Sequence, residues 1–408
     1  MDGPDGGSTL RCEVIRTLAG LEPLHAELAR LAESRDSGAS LVQHPDWFAI
    51  DIARRGGDSA PHVVVARDGD GVIRAYLPLR SSRRKLPIAL GPFSVSAYTG
   101  NALRTLGTGV VAEPTFRPSA EAAIADCLRN DPGVRAIVIS ESRLPNRFAD
   151  LLTRGQRRFT AGLGNPLDQV AWSIPAPGSL DAWLATFTAK QRHDLNRRER
   201  KLYKTLGTTL RLDVVTERAD VAGYLRRVES LHRRSWQAKL YEINWEAPRM
   251  VAFFESAAVR GWLQGYVLQL GDQPIAYLHG LRFGGQYVFE YTGYDPEFAR
   301  YGVGSTMVYA AVRDILTRHP EEGIDCGYGD NLYKRVLATR SDPAGEIYLA
   351  RGVLPSLMLR WLSPAVRWSY AKIRAWQNRP RPSVPNPSPR TEQRQTPSTT
   401  AVPNAERE

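Results

Sequence analysis

Two runs of alternating apolar and polar residues, 62–67 and 72–80, flank Asp68-Gly69-Asp70-Gly71, a spacing that predicts a β-hairpin. The same pattern returns in the second half of the chain, where 266–270 and 275–283 flank Gly271-Asp272-Gln273-Pro274. Each second strand carries Ala-Tyr-Leu, at 75–77 and at 276–278, and each hairpin follows a helical segment. We read this as a diverged internal duplication. Around the first hairpin the pattern predicts a strand at 10–15, helices at 21–32 and 45–55, a helix at 119–129 capped by Ser119, a strand at 134–140 and a helix at 145–154. The proline-containing stretch 165–179 reads as a bridge, followed by a short helix at 180–187. Around the second hairpin lie a strand at 209–215, a helix at 217–238 capped by Thr216, and a helix at 247–259. Beyond it Gln286–Tyr294, rich in aromatic and β-branched residues, predicts a buried strand. A polar loop (295–301), a helix (305–317), a second strand (323–327) and a further helix (330–339) complete the pattern.

Length adds a domain division. A chain of 408 residues exceeds one ordinary core, and we expect an N-terminal domain at 1–170 and a second at 171–350. Residues 351–377 mix Trp361, Trp368 and Trp376 with Arg360, Arg367, Lys372 and Arg374, as in segments that lie on an anionic membrane face or pack as terminal extensions. The tail 378–408 is rich in Pro, Ser and Thr and is expected to be disordered. A 42% hydrophobic fraction beside 24% charged residues is that of a soluble globular protein. Cys12, Cys127 and Cys326 are scattered without Cys-x-x-Cys spacing, which argues against a disulfide framework or a zinc site and fits a reducing compartment. The N-terminal residues have no basic or apolar region of a signal peptide, and no run is long enough to span a bilayer. The expected location is the cytoplasm, with the inner membrane face as the place where 353–376 would make a peripheral contact.

Charge narrows the partners. The net charge of +11 suits an anionic ligand: nucleotide phosphates, RNA or an anionic membrane. Thr188-Ala189-Lys190-Gln191 matches a capping box, and the helix it opens has seven Lys/Arg between 190 and 204 against Asp194 and Glu199. That helix fits either an anionic substrate or a solvated face. After the strand at 286–294, Gly302-Val303-Gly304-Ser305 forms a strand, glycine loop, helix sequence, which offers free backbone N–H groups to a phosphate.

The residues Gly293-Tyr294-Asp295-Pro296, Gly302-x-Gly304, Asp325-x-Gly327-x-Gly329-Asp330, Tyr333-Lys334 and Lys190-x-Arg192-x-x-Leu195-x-Arg197-Arg198 together resemble the GNAT acyltransferase superfamily, in the branch of CelD-like and Fem-type transferases. The resemblance covers 188–340 specifically and 10–170 more loosely. The first position of the usual Gln/Arg-x-x-Gly-x-Gly loop is Ala299 here, with Arg300 one place late. The resemblance implies an α/β fold of two tandem GNAT-like domains, each a mixed sheet flanked by helices, the second carrying the cofactor site. In the first copy Pro114 and Pro118 interrupt the corresponding loop, so that domain is expected to lack a cofactor.

The implied chemistry is direct acyl transfer from acetyl-CoA or another acyl-CoA, without a metal, to an amino sugar or cell-envelope precursor. Arg300, Gly302, Val303, Gly304 and Ser305 are the expected cofactor contacts. Glu290, among Val288, Phe289 and Tyr291, is the candidate base, with an ion pair to Arg282 as the alternative. Tyr333 is the candidate acid beside the sulfur, or else a core residue; Asp330 reads as a helix N-cap. Arg192, His232, Trp236 and Lys334 are assigned to acceptor binding, with a packed His–Trp pair as the other reading of the middle two. Two further functions stay open: a Fem-type transferase taking aminoacyl-tRNA, for which the basic helix speaks, and a non-catalytic scaffold. DNA is not an expected partner.

Overall fold

In the computed structural model, which describes residues 10–362 apart from 35, 56–58, 91–92, 108, 156–157, 165–168, 236–237 and 239–242, both predicted hairpins are present. After β1 (Arg11–Ile15), the first hairpin joins β2 (Ser59–Arg67) to β3 (Ile73–Leu90). Asp68 holds its turn, because Oδ1 accepts the backbone N–H groups of Asp70 and Val72, both at 3.0 Å. β3 runs on to Leu90 and returns as β4 (Phe93–Thr105), a long antiparallel pair that Arg83-Arg84-Lys85 had masked in the pattern. Then come β5 (Val111–Ala112), β6 (Ala136–Arg143), β7 (Thr160–Leu163) and β8 (Gln169–Ile174). The second half supplies β9 (Leu210–Val215), β10 (Gly265–Leu270), β11 (Gln273–Phe283), β12 (Gln286–Tyr294), β13 (Gly323–Tyr328) and β14 (Arg340–Ala350).

Among the described residues, the helices of the first half are α1 (Leu18–Leu21), α2 (His25–Glu33), α3 (Pro45–Arg55), α4 (Arg117–Asn130) and α5 (Arg147–Leu152). The second has α6 (Leu180–Ala185), α7 (Ala189–Leu206), α8 (Val221–Arg234), α9 (Pro248–Val259), α10 (Val303–Arg318), α11 (Leu332–Leu337) and α12 (Val353–Leu357). The capping box forms as predicted: Thr188 Oγ1 accepts from Gln191 N and Gln191 Oε1 from Thr188 N. Two predicted caps do not. α4 begins at Arg117 with Pro118 in its first turn, so Ser119 lies inside the helix and its hydroxyl donates to Phe116 O. α8 begins at Val221, after a 3-10 turn at 218–220. Residues 363–376 and the tail 378–408 lie outside the described residues.

Each half repeats one order: a strand, helices, a hairpin, a third antiparallel strand, a helix, and a strand parallel to that third one. β4 pairs parallel with β6, and β12 with β13. Among the described residues all strands form one mixed sheet, with the path β1-β2-β3-β4-β6-β14-β8-β13-β12-β11-β10-β9. The order is symmetric about its middle. β8, inside the predicted bridge, follows the first half but pairs with β13 of the second. β14 ends the second half but pairs with β6 of the first, and β8 and β14 pair antiparallel with each other. The halves thus exchange their last strands, and the fold is a duplicated GNAT-like α/β fold.

Helices cover both faces, which is why Val63–Ala66 are buried in succession instead of alternating. On one face a single core joins α2 and α3 to α8 and α9, with Trp47 edge-on to Phe253 at 4.7 Å. Tyr76 and Tyr277, the central residues of the repeated Ala-Tyr-Leu, both point into this shared core. The opposite face is split: α4 and α5 cover the first half, and α6, α7, α10 and α11 the second.

Two buried histidines, one in each half, give the fold a pH dependence. Burial lowers His62 to about 4, with Arg16 adding to the effect, and lowers His279 to about 3. Both are neutral in the folded protein, whereas the unfolded chain protonates them below about 6.5. Their stability contribution is complete above that pH and is lost as pH falls towards the folded values. Linkage puts the loss at roughly 1–2 kcal/mol per histidine by pH 5. We expect His62→Asn to flatten the fall in Tm between pH 7 and 5; an unchanged slope in thermal melts would mean that His62 is accessible to protons in the native state.

Candidate active site

β12 and β13 run parallel but pair only over Gln286–Val288 and Gly323–Asp325. Just beyond, β12 bulges: Gly280 of β11 faces Phe289 and His279 faces Tyr291, which leaves Glu290 as the extra residue. A bulge bends and over-twists its strand, and here β12 leaves β13 with a wedge between them. A cavity of about 370 Å³ lies beside this parting on the α7–α10–α11 side, lined by Thr292 and Tyr294 of β12, Leu195 and Arg198 of α7, residues 302–305, and Tyr333 with its α11 neighbours.

The start of α10 forms one wall. Asp295, nearly fully buried, accepts from Glu297 N and takes the Arg234 guanidinium at 2.5 Å, anchoring the 3-10 turn Pro296–Tyr301. Gly302 then adopts φ 70° and ψ 28°, the left-handed conformation that a β-branched residue resists. The first helical bond runs from Thr306 N to Gly302 O. The N–H groups of Val303, Gly304 and Ser305 precede it and, as in any first turn, have no partner within the helix. They open on the cavity, where the helix dipole and Arg198 favour negative charge. A Cβ built on Gly302 would meet nothing closer than Ser305 Oγ, at 3.8 Å, so the space over this glycine is free for a ligand.

Tyr333 faces these amides across the cavity. Burial, and then the Cys326 thiol, push its hydroxyl above the usual tyrosine range, so it keeps its proton at neutral pH. The Cys326 thiol is itself raised, to about 12, chiefly by burial.

Glu290 does not line this cavity. It sits where β12 and β13 part, only 12% exposed, and turns towards the α8–α9 layer, where its Oε2 lies 3.5 Å from His279 Nε2. The alternative pairing with Arg282 is not formed, because Arg282 binds both oxygens of Glu322. Carboxylate and cavity therefore flank the wedge from different sides of the sheet.

The remaining predicted residues are distributed as follows. Arg300 is exposed, its guanidinium 4.8 Å from the Tyr301 ring, and Ala299 takes its place at the cavity. Val303 is buried beneath the loop. Arg192 donates to Leu184 O and Phe187 O and so fixes the junction of α6 and α7. Lys334 is buried and donates to Tyr328 O at 2.6 Å, bracing the turn into α11. Asp330 pairs with Arg335, and Asn331 occupies the N-cap. His232 is packed, with Nδ1 3.1 Å from Tyr277 Oη and its ring edge-on to Trp245. Trp236 lies outside the described residues. Sequence reasoning missed Arg198 and Leu195 as cavity residues, although their i, i+3 spacing puts them on one face of α7.

Residues 189–335 match the acetyltransferase (GNAT) domain family. No curated protein matches the sequence. Among solved structures, the C-terminal domain of a candidate lysylphosphatidylglycerol synthetase from Agrobacterium fabrum is 12% identical, over 85% of this chain and 96% of that one, with a TM-score of 0.52. FemX is 11% identical, over 79% and 95%, with a TM-score of 0.50. At such identities these likenesses speak for the fold, and they extend across both halves. Residues 189–335 thus match the acetyltransferase (GNAT) domain family, and the GNAT-like fold extends across both halves of the chain.

Proposed function

We propose that this protein transfers an acyl group, acetyl in the simplest case, from an acyl-CoA thioester to an amine or hydroxyl of a small acceptor such as an amino sugar or cell-envelope precursor. The observation that carries the reading is the single cavity that joins the first-turn amides of α10 to the protonated hydroxyl of Tyr333. The amides of Val303, Gly304 and Ser305, with Arg198, hold the anionic part of the donor. The thioester supplies an activated carbonyl and a thiolate leaving group. The thioester end extends into the wedge between β12 and β13. Glu290 meets the acceptor there from the α8–α9 side and removes its proton as the new C–N or C–O bond forms. As the C–S bond breaks, Tyr333 gives its proton to the sulfur. In this reading residues 1–170 build one wall of the acceptor cleft without a cofactor of their own, and 171–350 bind the donor.

The basic stripe of α7 favours a second reading, in which the donor is an aminoacyl-tRNA. A third feature bears on location. Among the described residues no helix is long and apolar enough to cross a membrane. Val353, Leu354 and Leu357 of α12 are nevertheless 80%, 67% and 51% exposed, as suits a peripheral contact with the inner face of the membrane.

Calorimetric titration with acetyl-CoA, longer acyl-CoAs and charged tRNA separates the donors. We expect saturable binding of an acyl-CoA, and Tyr333→Phe should then lower turnover ~10²–10⁴-fold at unchanged donor affinity. Binding of charged tRNA with none of any acyl-CoA would replace the first reading by the second.

A further inference from the structure

Behind the candidate base lies a chain of buried polar groups that acyl transfer as described does not use. Tyr224 Oη on α8 is 2.8 Å from His279 Nδ1 on β11, and His279 Nε2 is 3.5 Å from Glu290 Oε2 on the bulge of β12. His279 is fully buried. Its ring is wedged edge-on between Trp245, at 4.8 Å, and Phe254, at 4.7 Å, and lies nearly parallel to the Tyr224 ring at 5.8 Å. Gly265 makes room for this arrangement: a Cβ on it would lie 2.3 Å from Tyr224 Cζ.

We propose that Tyr224 and His279 are positioning residues which fix the Glu290 carboxylate at the mouth of the wedge, through a tyrosine–histidine–carboxylate relay. The inference rests on Glu290 acting as the base. The direction of the relay follows from its ends. Burial keeps the Tyr224 hydroxyl protonated and able to donate to Nδ1, and the carboxylate at the other end favours the tautomer in which it does. A neutral imidazole that accepts at Nδ1 carries its proton on Nε2. That N–H faces the carboxylate, and the opposite tautomer would set a nitrogen lone pair against carboxylate oxygen. His279 then orients Oε2 of Glu290. The 3.5 Å separation is longer than a formed hydrogen bond, and a shift of about half an ångström closes it, as happens when a catalytic site tightens around substrate. Burial also holds His279 at about 3, so it orients the carboxylate and does not carry the proton away.

The relay is tested by two variants and one spectrum. His279→Phe removes the donor while keeping the ring and should lower kcat ~10-fold or more, within the range of the base it serves, at unchanged acyl-CoA affinity. His279→Gln restores an N–H near the Nε2 position and should recover most of that loss. Equal losses in both variants, or undiminished kcat in a folded His279→Phe protein, would overturn the proposal. Independently of turnover, 15N spectra of histidine-labelled protein should show one buried histidine locked in the Nε2–H tautomer between pH 5 and 8, with Tyr224→Phe or Glu290→Gln shifting its signals. A tautomer protonated on Nδ1 would exclude the relay. Absence of acyl transfer in the wild type together with the Nε2–H signal would instead remove the acyltransferase reading and leave the relay standing as a structural device.

Discussion

Replacing Glu290 with glutamine is expected to lower kcat ~10²–10⁴-fold while the affinity for acyl-CoA stays close to that of the wild type, because a general base acts on the acceptor and not on the donor. Glutamine keeps the volume at the bulge and keeps an oxygen for the His279 N–H, so the fold should survive. Only the capacity to take a proton is lost. Steady-state kinetics combined with donor titration would check this. Turnover within a few-fold of the wild type would mean that an acceptor amine arrives already neutral, and that proximity to the thioester supplies the rate. The position of Glu290, beside the last β12–β13 pair and on the far side from the cavity, is what singles it out.

Gly302→Val is expected to weaken acyl-CoA binding by ~10–100-fold, the effect of losing one hydrogen bond to a charged group. The substitution acts twice. Valine is strained at φ 70°, which turns the first-turn amides out of register, and its side chain enters the space over the loop. The strain costs about 1–2 kcal/mol, against the roughly 5–15 kcal/mol that holds a typical domain together, so the variant should stay folded. Gly304→Val acts by another route: its Cβ would lie 2.7 Å from Tyr294 Cδ1 and would push that ring into the cavity. Calorimetry on both variants decides the matter, and full affinity in both would take the phosphate-binding role away from α10. This loss appears in binding, whereas the loss in Glu290→Gln appears in turnover, so the two sites are separable.

Much of the duplicated architecture was readable from local pattern. The turn Asp68-Gly69-Asp70-Gly71 places its own bonds through Asp68, and the repeated Ala-Tyr-Leu puts Tyr76 and Tyr277 into one core. The capping box at Thr188 and the glycine at 302 are equally local, since each depends on groups within four residues. The long β3–β4 hairpin was hidden because its middle is basic: Arg83, Arg84 and Lys85 break the apolar alternation. Caps at Ser119 and Thr216 failed where a proline and a 3-10 turn set the start of the helix.

By itself, the sequence determined the repeat, the two matching hairpins, and the glycine loop that begins α10, because hairpin turns, helix caps and left-handed glycines are settled by neighbours along the chain. Tertiary structure alone decided the rest. β8, read as a bridge, and β14 exchange halves at the centre of the sheet, a pairing made between strands far apart in sequence. Arg198 reaches the cavity only because α7 packs against α10, and Arg192 and Lys334 are drawn to backbone carbonyls within their own surroundings. The bulge that isolates Glu290 and sets it against His279 exists only in the register of β11 with β12. Register and strand exchange are fixed by which faces are buried once both halves have met, and no periodicity along one chain segment carries that information.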